Sequence, residues 1–79
     1  MSKLPAIQGW QFVNFLKRIN FVMVRQRGSH VLMKDSEGRV VIVPSHANKD
    51  LPKGLLSAII KEDLQLTHEE FYVLFERYK

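Results

Sequence analysis

No cysteine occurs in the 79 residues, which removes disulfides, thiolate nucleophiles and cysteine-ligated zinc at once. A chain this small without covalent staples fits a reducing cytoplasm. Proline and glycine are scarce, at three and four residues, so there is no low-complexity tract and no flexible linker. Apolar runs are short, and none approaches the roughly 20 residues needed to span a bilayer. The segment Met1 to Gln8 reaches Pro5 almost at once and has no apolar secretory stretch. The expectation is one cytoplasmic domain over residues 1–79, with one core and no room for a separate cofactor domain.

What is present is positive charge, unevenly spread. Residues 1–50 carry eight Lys/Arg against three Asp/Glu, a net of +5, whereas residues 51–79 carry four against five, a net of −1. A basic half suits a polyanion such as nucleic acid, although a solvated surface that keeps a small protein soluble explains the charge equally well.

Phe12, Phe15, Leu16 and Ile19 follow i, i+3, i+4, i+7, the spacing of one apolar helical face. Asn20 follows where a helix can end in a left-handed residue. Trp10 reads as a core or rim residue. Phe21 to Arg25, Ser29 to Lys34 and Arg39 to Val43 read as three strands, joined by a turn at Gln26 to Gly28 and a loop at Asp35 to Gly38, with Pro44 ending the third. Ser45 to Asp50 is a polar loop, and Pro52 opens a second helix through Leu55, Leu56, Ile59 and Ile60. Thr67-His68-Glu69-Glu70 has the pattern of a capping box. It starts a short third helix with Phe71, Leu74, Phe75 and Tyr78 along one stripe. This stripe could be core or an exposed partner-binding face, and core packing is preferred. The predicted fold is α+β: a three-stranded antiparallel meander with helices on one face and the other face free.

The most informative stretch is Arg25-Gln26-Arg27-Gly28-Ser29-His30. Histidine exchanges a proton near neutral pH, and arginine presents forked donors suited to phosphate oxygens. A proton carrier beside phosphate binders suits phosphodiester cleavage. RNA is the favoured substrate because its 2′-hydroxyl supplies the nucleophile. His30 is the candidate for proton transfer, against the plain alternative of a half-buried strand histidine. Arg25, Arg27, Lys34 and Lys49 are candidates for phosphate binding. Gly28 allows close backbone approach, and Ser29 can hydrogen-bond a phosphate or orient the ring. His46, beside Asn48 and Lys49, could be a second acid or base, a phosphate contact or a loop anchor, whereas His68 reads as an exposed helix-start residue. Three histidines spread over a strand, a loop and a helix start lack metal-ligand spacing, so neither metal nor cofactor is expected. The eight aromatic residues fall mostly at core spacing and do not read as a base-stacking platform.

Several of these segments together resemble a known family. Lys3-Leu4-Pro5, Gly9, Leu16 to Phe21, Val24-Arg25-Gln26-Arg27-Gly28-Ser29-His30, Val43-Pro44-Ser45-His46-Ala47-Asn48-Lys49-Asp50-Leu51, Gly54-Leu55-Leu56 and Ile59-Ile60 are similar to the HicA (YcfA-like) toxins. Those are small mRNA-cleaving partners of HicB antitoxins. Gly-Ser-His alone is a weak motif, but joined to Pro-x-His-x-x-Lys on so short a chain it is specific. Two departures occur: Asn20 stands where the family usually has glycine, and Glu62-Asp63-Leu64-Gln65-Leu66 replaces a common Ala-Gly step. The resemblance implies a double-stranded-RNA-binding-domain-like fold, catalysis by the histidine at position 30, and a HicB-type antitoxin. The implied activity is a metal-independent, ribosome-independent endoribonuclease of a toxin–antitoxin system. The alternatives are a non-catalytic RNA-binding module and a protein-interaction domain that uses the same basic face.

Overall fold

The computed structural model describes residues 4–78; Lys3, where the resemblance begins, lies outside the described residues. The elements are α1 (Gly9–Arg18), β1 (Val22–Arg27), β2 (His30–Lys34), β3 (Val40–Pro44), α2 (Lys53–Ala58) and α3 (His68–Tyr78), with a π-helical turn at Ile59–Asp63 continuing α2. The sheet is an antiparallel meander in the order β1-β2-β3. With the helices packed on one face, this is the double-stranded-RNA-binding-domain-like α+β sandwich.

The apolar stripe of α1 buries Phe12, Phe15 and Leu16. The helix stops as its sequence predicts. Asn20 takes φ 75°, the Phe21 amide donates to the Leu16 carbonyl at 2.9 Å and the Asn20 amide to that of Lys17 at 3.4 Å. This is a Schellman ending, which satisfies carbonyls the helix leaves unpaired, and Lys17 and Arg18 sit where the helix dipole favours cations. Phe71 and Phe75 of α3 close the core. The Phe71 ring meets Phe15 edge-on at 5.2 Å and stacks on Phe75 at 5.6 Å. The stripe of α3 is therefore core, not a docking face. The capping box forms, with the Glu70 amide donating to the Thr67 hydroxyl at 3.0 Å and the Thr67 amide to the Glu70 carboxylate at 2.8 Å.

Strand alternation sorts the sheet residues. Val31, Met33, Val41 and Val43 point into the core, while His30, Lys34, Val40 and Ile42 are exposed and Leu32 is half-buried on the opposite face.

Four local expectations are corrected. The first turn is Gly28-Ser29, so Gln26 and Arg27 belong to β1, Ser29 leaves β2, and Phe21 is a buried residue ahead of the strand. Pro44 does not stop β3 from outside but is its last residue, paired with His30; on an edge strand its missing donor is tolerated. Trp10, expected in the core or at its rim, is at the rim, 55% exposed, and its Nε1 donates to Gln8 Oε1 at 2.7 Å. His68 is half-buried, with its Nε2 2.9 Å from Ser57 Oγ, a link from α3 to α2. The second helix widens into a π turn, in which the Leu64 amide reaches the Ile59 carbonyl at 2.9 Å. An i→i+5 turn carries Leu64 back over Ile59 and Ile60, and all three are buried.

Asp35 organises the β2–β3 loop. Its Oδ1 accepts from the amides of Glu37 and Arg39, at 3.0 and 2.8 Å, and its Oδ2 accepts from Arg39 Nε at 2.6 Å. The Asp35 side chain is 5% exposed. Burial opposes its charge, but the Arg39 side chain, the two amides and the Arg39 charge outweigh that and hold the carboxyl below its usual range. A carboxylate with a depressed folded-state pKa stabilises the fold fully above its unfolded value, and the contribution is lost as pH falls through the folded one. Asp35→Asn is therefore expected to lower the melting temperature at neutral pH and to flatten the acid side of the stability profile, below about pH 4. Thermal melts of both proteins from pH 7 downward check this. Parallel acid profiles would show that Asp35 is not the titrating group.

Candidate active site on the open sheet face

The face of the sheet turned away from the helices is built in cross-strand rows. The Gly28-Ser29 turn, with Gly28 at φ 59°, closes a two-residue hairpin loop of the kind in which glycine supplies the positive φ. This tight closure makes Arg27 and His30 directly opposed partners, and His30 in turn faces Pro44. The next row is Arg25, Leu32 and Ile42, and the row beyond is Val22, Lys34 and Val40. A bulge lies between Met23 and Arg25. It leaves Arg25 on the same face as Arg27, and it kinks an edge strand that would otherwise be a flat pairing template.

Arg25, Arg27, His30, Leu32 and Ile42 line an open depression of about 300 Å³. Three of the predicted site residues thus come together. Lys34 shares the face one row further on. Among the described residues no ion pair involves Arg25, Arg27 or Lys34, so the cations of this face are uncompensated. Gly28 has open space where a side chain would be, with nothing within 4 Å. Ser29 and His46, 17 positions apart, are brought together: Ser29 Oγ lies 3.4 Å from His46 Nε2. The Ser45 amide donates to the Ser29 carbonyl at 2.7 Å, so the loop carrying His46 is fastened to the hairpin turn beside His30. Lys49 is exposed on that loop and its amide donates to the His46 carbonyl at 3.3 Å, but it does not line the depression.

Leu32 and Ile42 were absent from the residues singled out in the sequence. The signal was available, since Leu32 lies two positions after His30 and must share its face, but apolar strand residues default to core. Among the described residues no group of three His, Asp or Glu is placed to hold a metal ion, and no helix is long and apolar enough to cross a membrane.

Gly9, the first residue of α1, lies against Pro44 and Ser45, where a side-chain carbon would be 2.7 Å from the Pro44 carbonyl oxygen and 2.6 Å from Ser45 Cα. The helix start and the head of the His46 loop are therefore packed closely, chiefly backbone against backbone.

No curated protein matches the chain. The family described as HicA toxin of bacterial toxin-antitoxin matches residues 9–63, from the start of α1 to the end of the π turn, and so takes in every residue of the sheet face. On that match, the chain belongs to the HicA toxin family of bacterial toxin–antitoxin systems.

Proposed function

We propose that this toxin is a metal-independent endoribonuclease that cleaves mRNA by attack of the substrate's own 2′-hydroxyl. The observation that carries the reading is the direct opposition of Arg27 and His30 on an exposed, uncompensated basic face, with Arg25 in the adjacent row. Arg25 and Arg27 hold phosphate oxygens and stabilise the charge that builds on phosphorus, since donors fixed in advance cost little reorganisation during reaction. His30 takes the proton of the 2′-hydroxyl, the 2′-oxygen bonds to phosphorus, and the bond to the 5′-oxygen breaks. The leaving oxygen receives a proton from a second acid. His46, linked to Ser29 and so held beside the turn, is the candidate for that role, with Ser29 as its anchor. Lys34, on the same sheet face, and Lys49, exposed on the His46 loop, extend phosphate contact beyond the depression.

The inhibitor in this reading is a HicB-type antitoxin that presents carboxylates to Arg25, Arg27 and Lys34, because a basic groove attracts acidic mimics as readily as RNA.

The test is product chemistry. Cleavage of a synthetic RNA should proceed in excess EDTA and leave a 5′-hydroxyl with a 2′,3′-cyclic or 3′-phosphate, and 2′-O-methyl RNA should resist. A requirement for added magnesium, or 5′-phosphate ends, would rule the mechanism out.

A further inference from the structure

The proposed chemistry uses the cations and the imidazole of the depression and leaves its apolar floor unexplained. Leu32 and Ile42 are directly opposed across β2 and β3, Ile42 is 53% exposed, and both line the same depression as His30. Two apolar side chains set side by side on a solvent face, with Arg25 at the end of their row, are a poor seat for a phosphate. They suit the flat face of a nucleobase. Resting on the reading above, we infer that Leu32 and Ile42 form a base seat next to the scissile phosphate, and that the substrate is engaged as single-stranded RNA.

Spacing supports this. Same-face rows of a strand are about 7 Å apart, comparable to one nucleotide step of an extended strand. With a phosphate held at Arg27 and His30, the base of an adjoining nucleotide reaches the Leu32–Ile42 row, and the Arg25 guanidinium can lie against its plane or hydrogen-bond its edge. Bases inside an A-form duplex are stacked on their neighbours and cannot lie flat on a sheet; sequence-specific RNA recognition commonly uses splayed bases of single-stranded regions instead. The exposed aromatic residues, Trp10 and Tyr72, belong to α1 and α3, so they do not sit on this face. The seat is therefore aliphatic and grips less firmly than an aromatic platform.

The experiment compares binding of three uncleavable probes at fixed salt: a mixed-sequence 2′-O-methyl RNA decamer, the same backbone without bases, and the decamer annealed to its complement. The wild-type protein should bind the single-stranded decamer about five- to tenfold more tightly than the abasic strand, the low end of what stacking one base on an aromatic side chain gives, and more tightly than the duplex. Leu32→Thr/Ile42→Thr, and Ile42→Thr alone as a milder form, keep a residue suited to a strand. The double variant should bring base-bearing and abasic strands within about twofold while the salt dependence, roughly 0.7 per phosphate contact on a log–log plot, persists. Equal wild-type affinity for the base-bearing and abasic strands would overturn the seat and leave the nuclease reading intact. So would duplex bound as tightly as single strand, or a folded double variant that keeps the base preference. Failure to bind any probe at low salt would overturn the nuclease reading, and the seat with it.

Discussion

His30→Ala is expected to abolish RNA cleavage and growth arrest while leaving the fold intact. His30 is the first residue of β2, exposed and on the face away from the core, so truncation removes no buried contact. Its backbone pairing with Arg27 and Pro44 does not depend on the imidazole. General acid–base assistance is typically worth about 10²–10⁴-fold, so cleavage should fall by at least that order. The circular dichroism spectrum should be unchanged and RNA affinity should stay within a few-fold, since Arg25 and Arg27 remain. A folded variant that still cleaves at the wild-type rate would transfer the proton-transfer role elsewhere, with His46 the next residue to test. A protein that never cleaved RNA, with or without His30, would instead be an RNA-binding module or a protein-interaction domain, which RNA affinity at physiological salt tells apart.

Gly9→Ala should be the most destabilising of the small substitutions. Alanine normally gains about 1 kcal/mol over glycine within a helix. Here the added carbon would meet Ser45 Cα at 2.6 Å and the Pro44 carbonyl oxygen at 2.7 Å, and backbone atoms cannot rotate aside as a side-chain tip can. Overpacking of this kind costs typically about 1–3 kcal/mol. In a domain of this size that lowers Tm by about 4–8 °C per kcal/mol. The shift would also push the Ser45–His46 loop from its hydrogen bond to Ser29. Gly54→Ala in α2 is the matched control, with nothing within 4 Å of the new carbon, and it should stabilise modestly. Calorimetry on both variants decides the matter. If Gly9→Ala melts at or above the wild-type temperature, the close approach is not a constraint.

These two residues illustrate what could be read from the chain before its fold was known. Arg25, Arg27 and His30 were legible as a group because they lie within six positions on two strands joined by the shortest hairpin loop. The Phe12–Ile19 stripe and the Thr67–Glu70 capping box were legible for the same reason, each being a pattern of neighbours along the chain. The Gly9–Ser45, Ser29–His46 and Ser57–His68 contacts join positions separated by 36, 17 and 11 residues, and no periodicity announces them. The π turn was hidden differently. Ile60 and Leu64, four positions apart, would share a face of a regular helix, so periodicity alone gives no sign of the wider turn in which the Leu64 amide reaches back five positions to the Ile59 carbonyl.

The alternation along β2 has a bearing on how such a protein can change over generations. His30, Leu32 and Lys34 face outward while Val31 and Met33 face the core, so one stretch of five residues writes two messages on opposite sides. Loss or gain of a single codon there would exchange them, turning the imidazole into the core and a valine onto the surface. Such a change would abolish folding together with activity, so it cannot leave behind a folded but harmless protein. Point substitutions at the outward positions meet no such barrier. On the proposed reading, outward substitutions would alter activity or substrate choice one side chain at a time, whereas insertions and deletions in this strand would disturb the core as well.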